Sequence, residues 1–120
     1  MREIKFRAWD KINKDMFNVE SINFQESRVY KDTVSYREFN NVDIMQYTGL
    51  KDKNGKEIYE GDIVTLHNGK YKVIFNSKES RFVLRDDEFE MNIPFTNNNN
   101  KRMEIVGNIY ENPELMGEVR

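Results

Sequence analysis

A chain of 120 residues with 38% hydrophobic and 12% aromatic side chains holds enough apolar matter for one modest core, which excludes wholesale disorder. Its 19 basic and 21 acidic groups leave a net charge of −2, so nothing draws the whole chain to nucleic acid or anionic lipid. With no cysteine there is no disulfide, no thiolate metal site and no thiol nucleophile.

The charge is uneven. Residues 1–56 carry 11 basic and 9 acidic groups, and residues 57–120 carry 8 and 12, yet neither part has the basic stripe that phosphate binding needs. The opening MREIKFRAWD is charged from its second residue, and no run approaches the roughly 20 apolar residues of a membrane helix. The reading is a soluble, cytoplasmic protein.

In chain order, Ile4, Phe6 and Ala8 alternate with Glu3, Lys5 and Arg7, which predicts a half-buried strand over 2–9. Trp9 falls on the charged face, either lying over its neighbours' stems or serving as an interface anchor. The polar stretch DKINKD leads to a second strand from Met16 to about Phe24, making an opening hairpin. From Gln25 to Asn41 turn formers interrupt every β-prone pair, and the reading is a loop with a short strand or helical turn.

Asp43–Thr48 predicts a strand that Gly49 ends. Asn54-Gly55 signals a hairpin turn, and Gly61 and Asp62 a second tight turn in which the aspartate holds backbone amides. Five short strands follow: Ile63–Leu66, Tyr71–Phe75, Phe82–Leu84, the Phe89-Met91-Ile93-Phe95 run, and one from Ile105 to Ile109. Tight turns between them predict a small closed, SH3-like barrel with Val64, Val73, Phe75, Phe82, Leu84, Met91 and Ile93 in its core. Asn97–Asn100 reads as a flexible loop. Asn112-Pro113-Glu114 reads as the N-cap and first turn of a short C-terminal helix. The expected fold is therefore mainly β, with an N-terminal β-ribbon region over 1–56 and the barrel over 57–120.

Three blocks, REIKFRAWD (2–10), MQYTGLKDKNGKEIYEGDIV (45–64) and VGNIYENPEL (106–115), resemble the signature of the YopX family in the same order. The resemblance implies a phage or prophage origin, and so the cytoplasm of a bacterial host. It brings no catalytic residues.

Chemistry is sparse. His67 is the one histidine and sits in a turn beside Asn68-Gly69, away from any triad pattern. One His without Cys does not make a zinc site. The acids at Glu57, Glu60 and Asp62, and at Asp86, Asp87, Glu88 and Glu90, lack calcium-loop spacing and read as solvated connections. Neither metal nor cofactor is expected. Arg2, Lys5, Arg7 and Lys11 interleave with Phe6 and Trp9 as a single-strand platform would, but Glu3 and Asp10 lie among them.

The reading is a non-enzymatic phage accessory protein that binds another protein or itself, with a nucleic-acid-binding module as the alternative. Arg7, Trp9, Lys51 and Lys53 are the candidate partner contacts. Gly49, Asn54, Gly55, Gly61 and Asp62 are the structural turn residues.

Overall fold

The computed structural model describes residues 3–96 and 100–117, which form short strands joined by tight turns, with single 3-10 turns and no longer helix. The chain divides into two units, Met1–Tyr47 and Thr48–Arg120. The Thr48–Lys56 ribbon, grouped by sequence with the first region, therefore belongs with the second.

The first unit contains β1 (Phe6–Asp10), β2 (Asp15–Asn18), β3 (Ser21–Asn23), β4 (Arg28–Tyr30), β5 (Tyr36–Glu38) and the first part of β6 (Val42–Lys51). β1 lies antiparallel between β2 and residues 42–46 of β6, while β3, β4 and β5 form a separate antiparallel sheet in that order. Ala8, Phe17, Val29 and Val42 are its buried core, with Val19, Phe39 and Ile44 packed against them.

Three sequence expectations are corrected here. β1 is not half-buried along its length: Ala8, Trp9 and Asp10 are all buried, and Ile4 precedes the strand and is exposed. The strand expected from Met16 to Phe24 is two strands, because the chain changes sheets between them. The Val19 N–H donates to the Phe6 carbonyl, and the next residue, Glu20, donates to Tyr30. The segment 25–41, read as a loop with one short strand or a helical turn, carries two strands, β4 and β5, as well as a 3-10 turn at Phe39–Asn41. Its strands are three residues each, too short for any periodicity to register.

The second unit holds the end of β6, then β7 (Glu57–Tyr59), β8 (Asp62–Leu66), β9 (Gly69–Asn76), β10 (Arg81–Asp86), β11 (Met91–Pro94) and β12 (Glu104–Asn108). Gly49 does not end β6. It sits inside the strand at φ 91°, and the Thr48 hydroxyl spans the irregularity by donating to the Ile58 carbonyl (2.7 Å) and accepting the Leu50 N–H (3.2 Å). An antiparallel sheet runs β11-β10-β9-β8-β12, so β12 returns to lie beside β8. The sheet is curled but open, with β11 and β12 at its edges, where the sequence predicted a closed barrel.

Ile58, Val64, Leu66, Val73, Leu84 and Met103 form this unit's buried core, with Phe82 and Ile93 against it. Phe75 and Met91 do not belong to it, being 47% and 49% exposed. Both lie near the strand ends, where an open sheet stops covering its inner face. Phe89 stands in a loop rather than a strand, and is also exposed. Of the loop expected at Asn97–Asn100, residues 97–99 lie outside the described residues, and Asn100–Arg102 make a 3-10 turn. The C-terminal helix is one 3-10 turn, Pro113–Met116, and Asn112 gives it no side-chain cap. That side chain instead turns back, accepting the Asn108 N–H at 3.2 Å beside Gly107. A Cβ on Gly107 would meet it at 2.5 Å, which accounts for a glycine in a strand.

One device recurs in the hairpins. Asp10 faces Asp15, Asn23 faces Arg28, Asn76 faces Arg81 and Asp86 faces Met91, each pair closing a four-residue loop. In every case the leading Asp or Asn accepts a backbone N–H two or three residues ahead, at 2.9–3.2 Å. The last loop residue is left-handed each time: Lys14, Ser27, Ser80 and Glu90, at φ 58°, 57°, 54° and 51°. None is glycine, so each carries the steric cost of that conformation. Ser27→Gly and Ser80→Gly are therefore expected to stabilise the protein by about 0.5–1 kcal/mol each, the left-handed penalty less glycine's entropy. Urea unfolding checks this, and a loss of stability in both would refute it.

The core assignment gives a second expectation. Leu84→Ala, fully buried, should cost about 2–5 kcal/mol. Phe75→Ala, half exposed, should cost clearly less, in the same unfolding measurement.

Candidate functional site

Polar groups buried without partners are costly, so buried carboxylates show where a fold is committed. Asp10 has no exposed surface. Its Oδ1 accepts the N–H groups of Ile12 (2.9 Å) and Asn13 (3.0 Å), and its Oδ2 accepts Arg37 Nε at 2.6 Å. Burial alone would push this carboxyl up, but the Asn13 and Ile12 amides and the Arg37 guanidinium outweigh it and hold it far below the usual range. The pair fastens the β1–β2 loop to β5.

Asp52 does similar work in the second unit and is 5% exposed. Its Oδ1 accepts from Asn54 and Lys56, both at 2.9 Å, and its Oδ2 from Ile105 at 3.0 Å, 53 residues away. Next to it, the Lys53 N–H donates to the Met103 carbonyl at 2.9 Å. The turn after β6 thus covers the outer edge of β12. Again burial raises the carboxyl, and the Ile105, Lys56 and Asn54 amides outweigh it, leaving it lowered. Asp62, also buried, accepts the Tyr59 N–H at 2.8 Å. Beside it Gly61, at φ 90°, donates to the Val73 carbonyl and accepts from Ile109.

No role for Asp52 was read from the sequence. An Asp two residues before Asn-Gly was the available signal, since such a side chain can hold the turn's amides. Asn54-Gly55 does lie in a turn, with Gly55 at φ 82°, but the loop is wider than a two-residue hairpin: the Asp52 N–H donates to the Lys56 carbonyl. The two-residue turn is His67-Asn68, at φ 50° and 71° between paired Leu66 and Gly69. His67 is exposed there.

The candidate partner contacts are divided between the two units. Trp9 is 8% exposed, which leaves no free ring for an interface anchor, and Arg7 is half-buried. Lys51 and Lys53 are exposed but lie in the other unit, where Lys53 Nζ reaches Glu104 at 3.4 Å. Among the opening basic residues, Lys5 pairs with Glu3 and Lys11 with Asp43, while Arg2 lies outside the described residues. Two of the acids in 86–90 are drawn into structure. Asp86 holds the Glu88 and Phe89 amides, and Asp87 bridges Lys72 (2.7 Å) and Arg85 (3.0 Å). Among the described residues no three His, Asp or Glu side chains stand together as a metal site.

What the fold exposes instead is apolar. Ile12, Phe24, Val34 and Phe89 are 66%, 77%, 78% and 69% exposed, and each sits in a hairpin loop held by an Asp or Asn.

These features define a mainly β protein assembled from short hairpins with side-chain-braced loops. The chain belongs to the YopX family: the family model described as YopX protein matches residues 5–117. It is similar to the crystal structure of protein EF1440 from Enterococcus faecalis, with a TM-score of 0.77 and 31% identity over 97% of this chain and 99% of that one. No curated protein matches it.

Asp52→Ala would strand three backbone donors, and should cost at least about 3 kcal/mol in unfolding experiments. The pH dependence has a definite sign. A carboxyl lowered in the folded state stabilises it above the unfolded value of about 3.9, and that stability fades as pH falls below it. Asp52→Asn should therefore unfold with a shallower loss of stability between about pH 4 and pH 2 than the wild type.

Proposed function

We propose that this is a non-enzymatic phage or prophage accessory protein of the bacterial cytoplasm that acts by binding another protein, self-association being one form of that. The observation that carries this reading is the set of large apolar side chains held outward on braced loops. A loop whose backbone is braced before binding loses less entropy on docking, and exposed apolar residues of this size gain from being covered. We also read the curled sheet of β8–β12 as a variant of the SH3-like barrel, a scaffold on which many binding functions occur.

Capture from nuclease-treated lysate of infected host cells tests the reading, comparing the wild type with a triple variant, Ile12→Ser, Phe24→Ser and Phe89→Ser. The expected result is a defined protein partner, or a concentration-dependent oligomer in sedimentation, that the variant loses while keeping its folded spectrum. Retention of a partner only when nuclease is omitted would favour the nucleic-acid alternative, and equal capture by the variant would remove the loops from the account.

A further inference from the structure

Unpaired strand edges invite added strands, and proteins guard them with charges, prolines or covering segments. In this protein β2 carries Asp15, β5 Arg37 and Glu38, β7 Glu57, β11 Pro94 and β12 Glu104. Two have further cover: Arg37 donates to the β5 carbonyl of Tyr36 at 2.8 Å, and the Asp52 turn lies on β12. β3, Ser-Ile-Asn, has neither charge nor proline, and among the described residues pairs on one side only, with β4.

A groove of about 540 Å³ lies against this strand, lined by the whole of residues 20–24 and by Tyr30, Asp32 and Thr33. That lining includes the carboxylates of Glu20 and Asp32, the rings of Phe24 and Tyr30, and no lysine or arginine. Asp32 is fixed by its Oδ1, which accepts the N–H groups of Val34 and Ser35 at 2.9 and 2.7 Å. Aromatic faces beside carboxylates attract ammonium and guanidinium groups. The same sheet already does so within the chain. The Arg28 guanidinium lies 4.1 Å from the Tyr36 ring centroid and 3.5 Å from Glu26, and Tyr36 faces Tyr30 at 5.5 Å.

We infer that the groove along β3 receives an extended segment of a partner protein rich in lysine or arginine, which adds to the sheet as a short strand. The inference rests on the protein-binding reading above and names its site and partner chemistry. Backbone hydrogen bonds to the β3 edge would hold the segment, and alternate cationic side chains would meet Glu20, Asp32 and the two rings.

The probe is the hexapeptide acetyl-Lys-Val-Lys-Val-Lys-Val-amide, titrated into ¹⁵N-labelled full-length protein, with the Glu-Val counterpart as control. Shift changes confined to Ser21–Phe24, Tyr30 and Thr33, seen with the lysine peptide alone, are expected. Glu20→Lys, at an exposed position, should keep the spectrum and weaken the peptide at least tenfold; Ile22→Pro should do the same by blocking the edge. No shift change, a response centred on Asp86–Glu90, or unaltered binding by Glu20→Lys would each overturn the inference. Partner capture that survives any of these results, and is lost in an Ile12→Ser, Phe89→Ser variant that leaves the groove lining untouched, leaves the protein-binding reading standing without this groove.

Discussion

The Asp52 carboxylate is the interaction on which the second unit most depends. It is a charge taken almost wholly out of water, and it is stable there because three backbone N–H groups converge on its two oxygens. Two of those groups belong to its own turn and the third to Ile105, so one side chain both shapes a loop and ties it to a strand far along the chain. The Lys53–Met103 backbone bond extends the same seam. A curled sheet that does not close has an edge to protect at β12, and this seam protects it. Asp10 repeats the logic in the first unit, with Arg37 as the distant partner in place of a backbone amide.

The same physics at lower cost builds the hairpins. An Asp or Asn before each four-residue loop offers an acceptor to amides that would otherwise face only water. With that hydrogen bond in place, the chain tolerates a left-handed Ser, Lys or Glu where glycine would be easier. The loops that result present Ile12, Phe24 and Phe89 to solvent. Local turn chemistry and the proposed binding role are thus linked: the residues that brace a loop also set what it displays.

How much of this was legible in the sequence follows from element length. The strands at Asp62–Leu66 and Gly69–Asn76 were plain, because several alternating positions lie between clear turn signals. β3, β4 and β5 were not, since three residues carry no period and the first unit's small sheet exists only through pairing. Alternation also overstated burial: Phe75 follows Val73 in pattern but lies where the open sheet no longer covers it. Trp9 erred the other way, on a strand whose last residues are buried on both faces. The groove at β3 joins residues 20–24 to Tyr30, Asp32 and Thr33 across a loop, and no linear motif marks such a meeting. Glycine was read best where geometry alone decided, at Gly61, and least well at Gly49, where a neighbouring hydroxyl lets the strand continue.

The family relation extends over nearly the whole chain, so the braced turns can be sought in EF1440 as well as here. The most direct test of the central claim, that buried carboxylates organise this fold, is a ¹³C carboxyl titration of the intact protein by NMR. The account predicts that the Asp10 and Asp52 carboxyl carbons both show midpoints below the ordinary value of about 3.9, or none before acid unfolding. Midpoints at or above that value for both would mean that solvent, not the backbone amides, surrounds them, and would contradict the account.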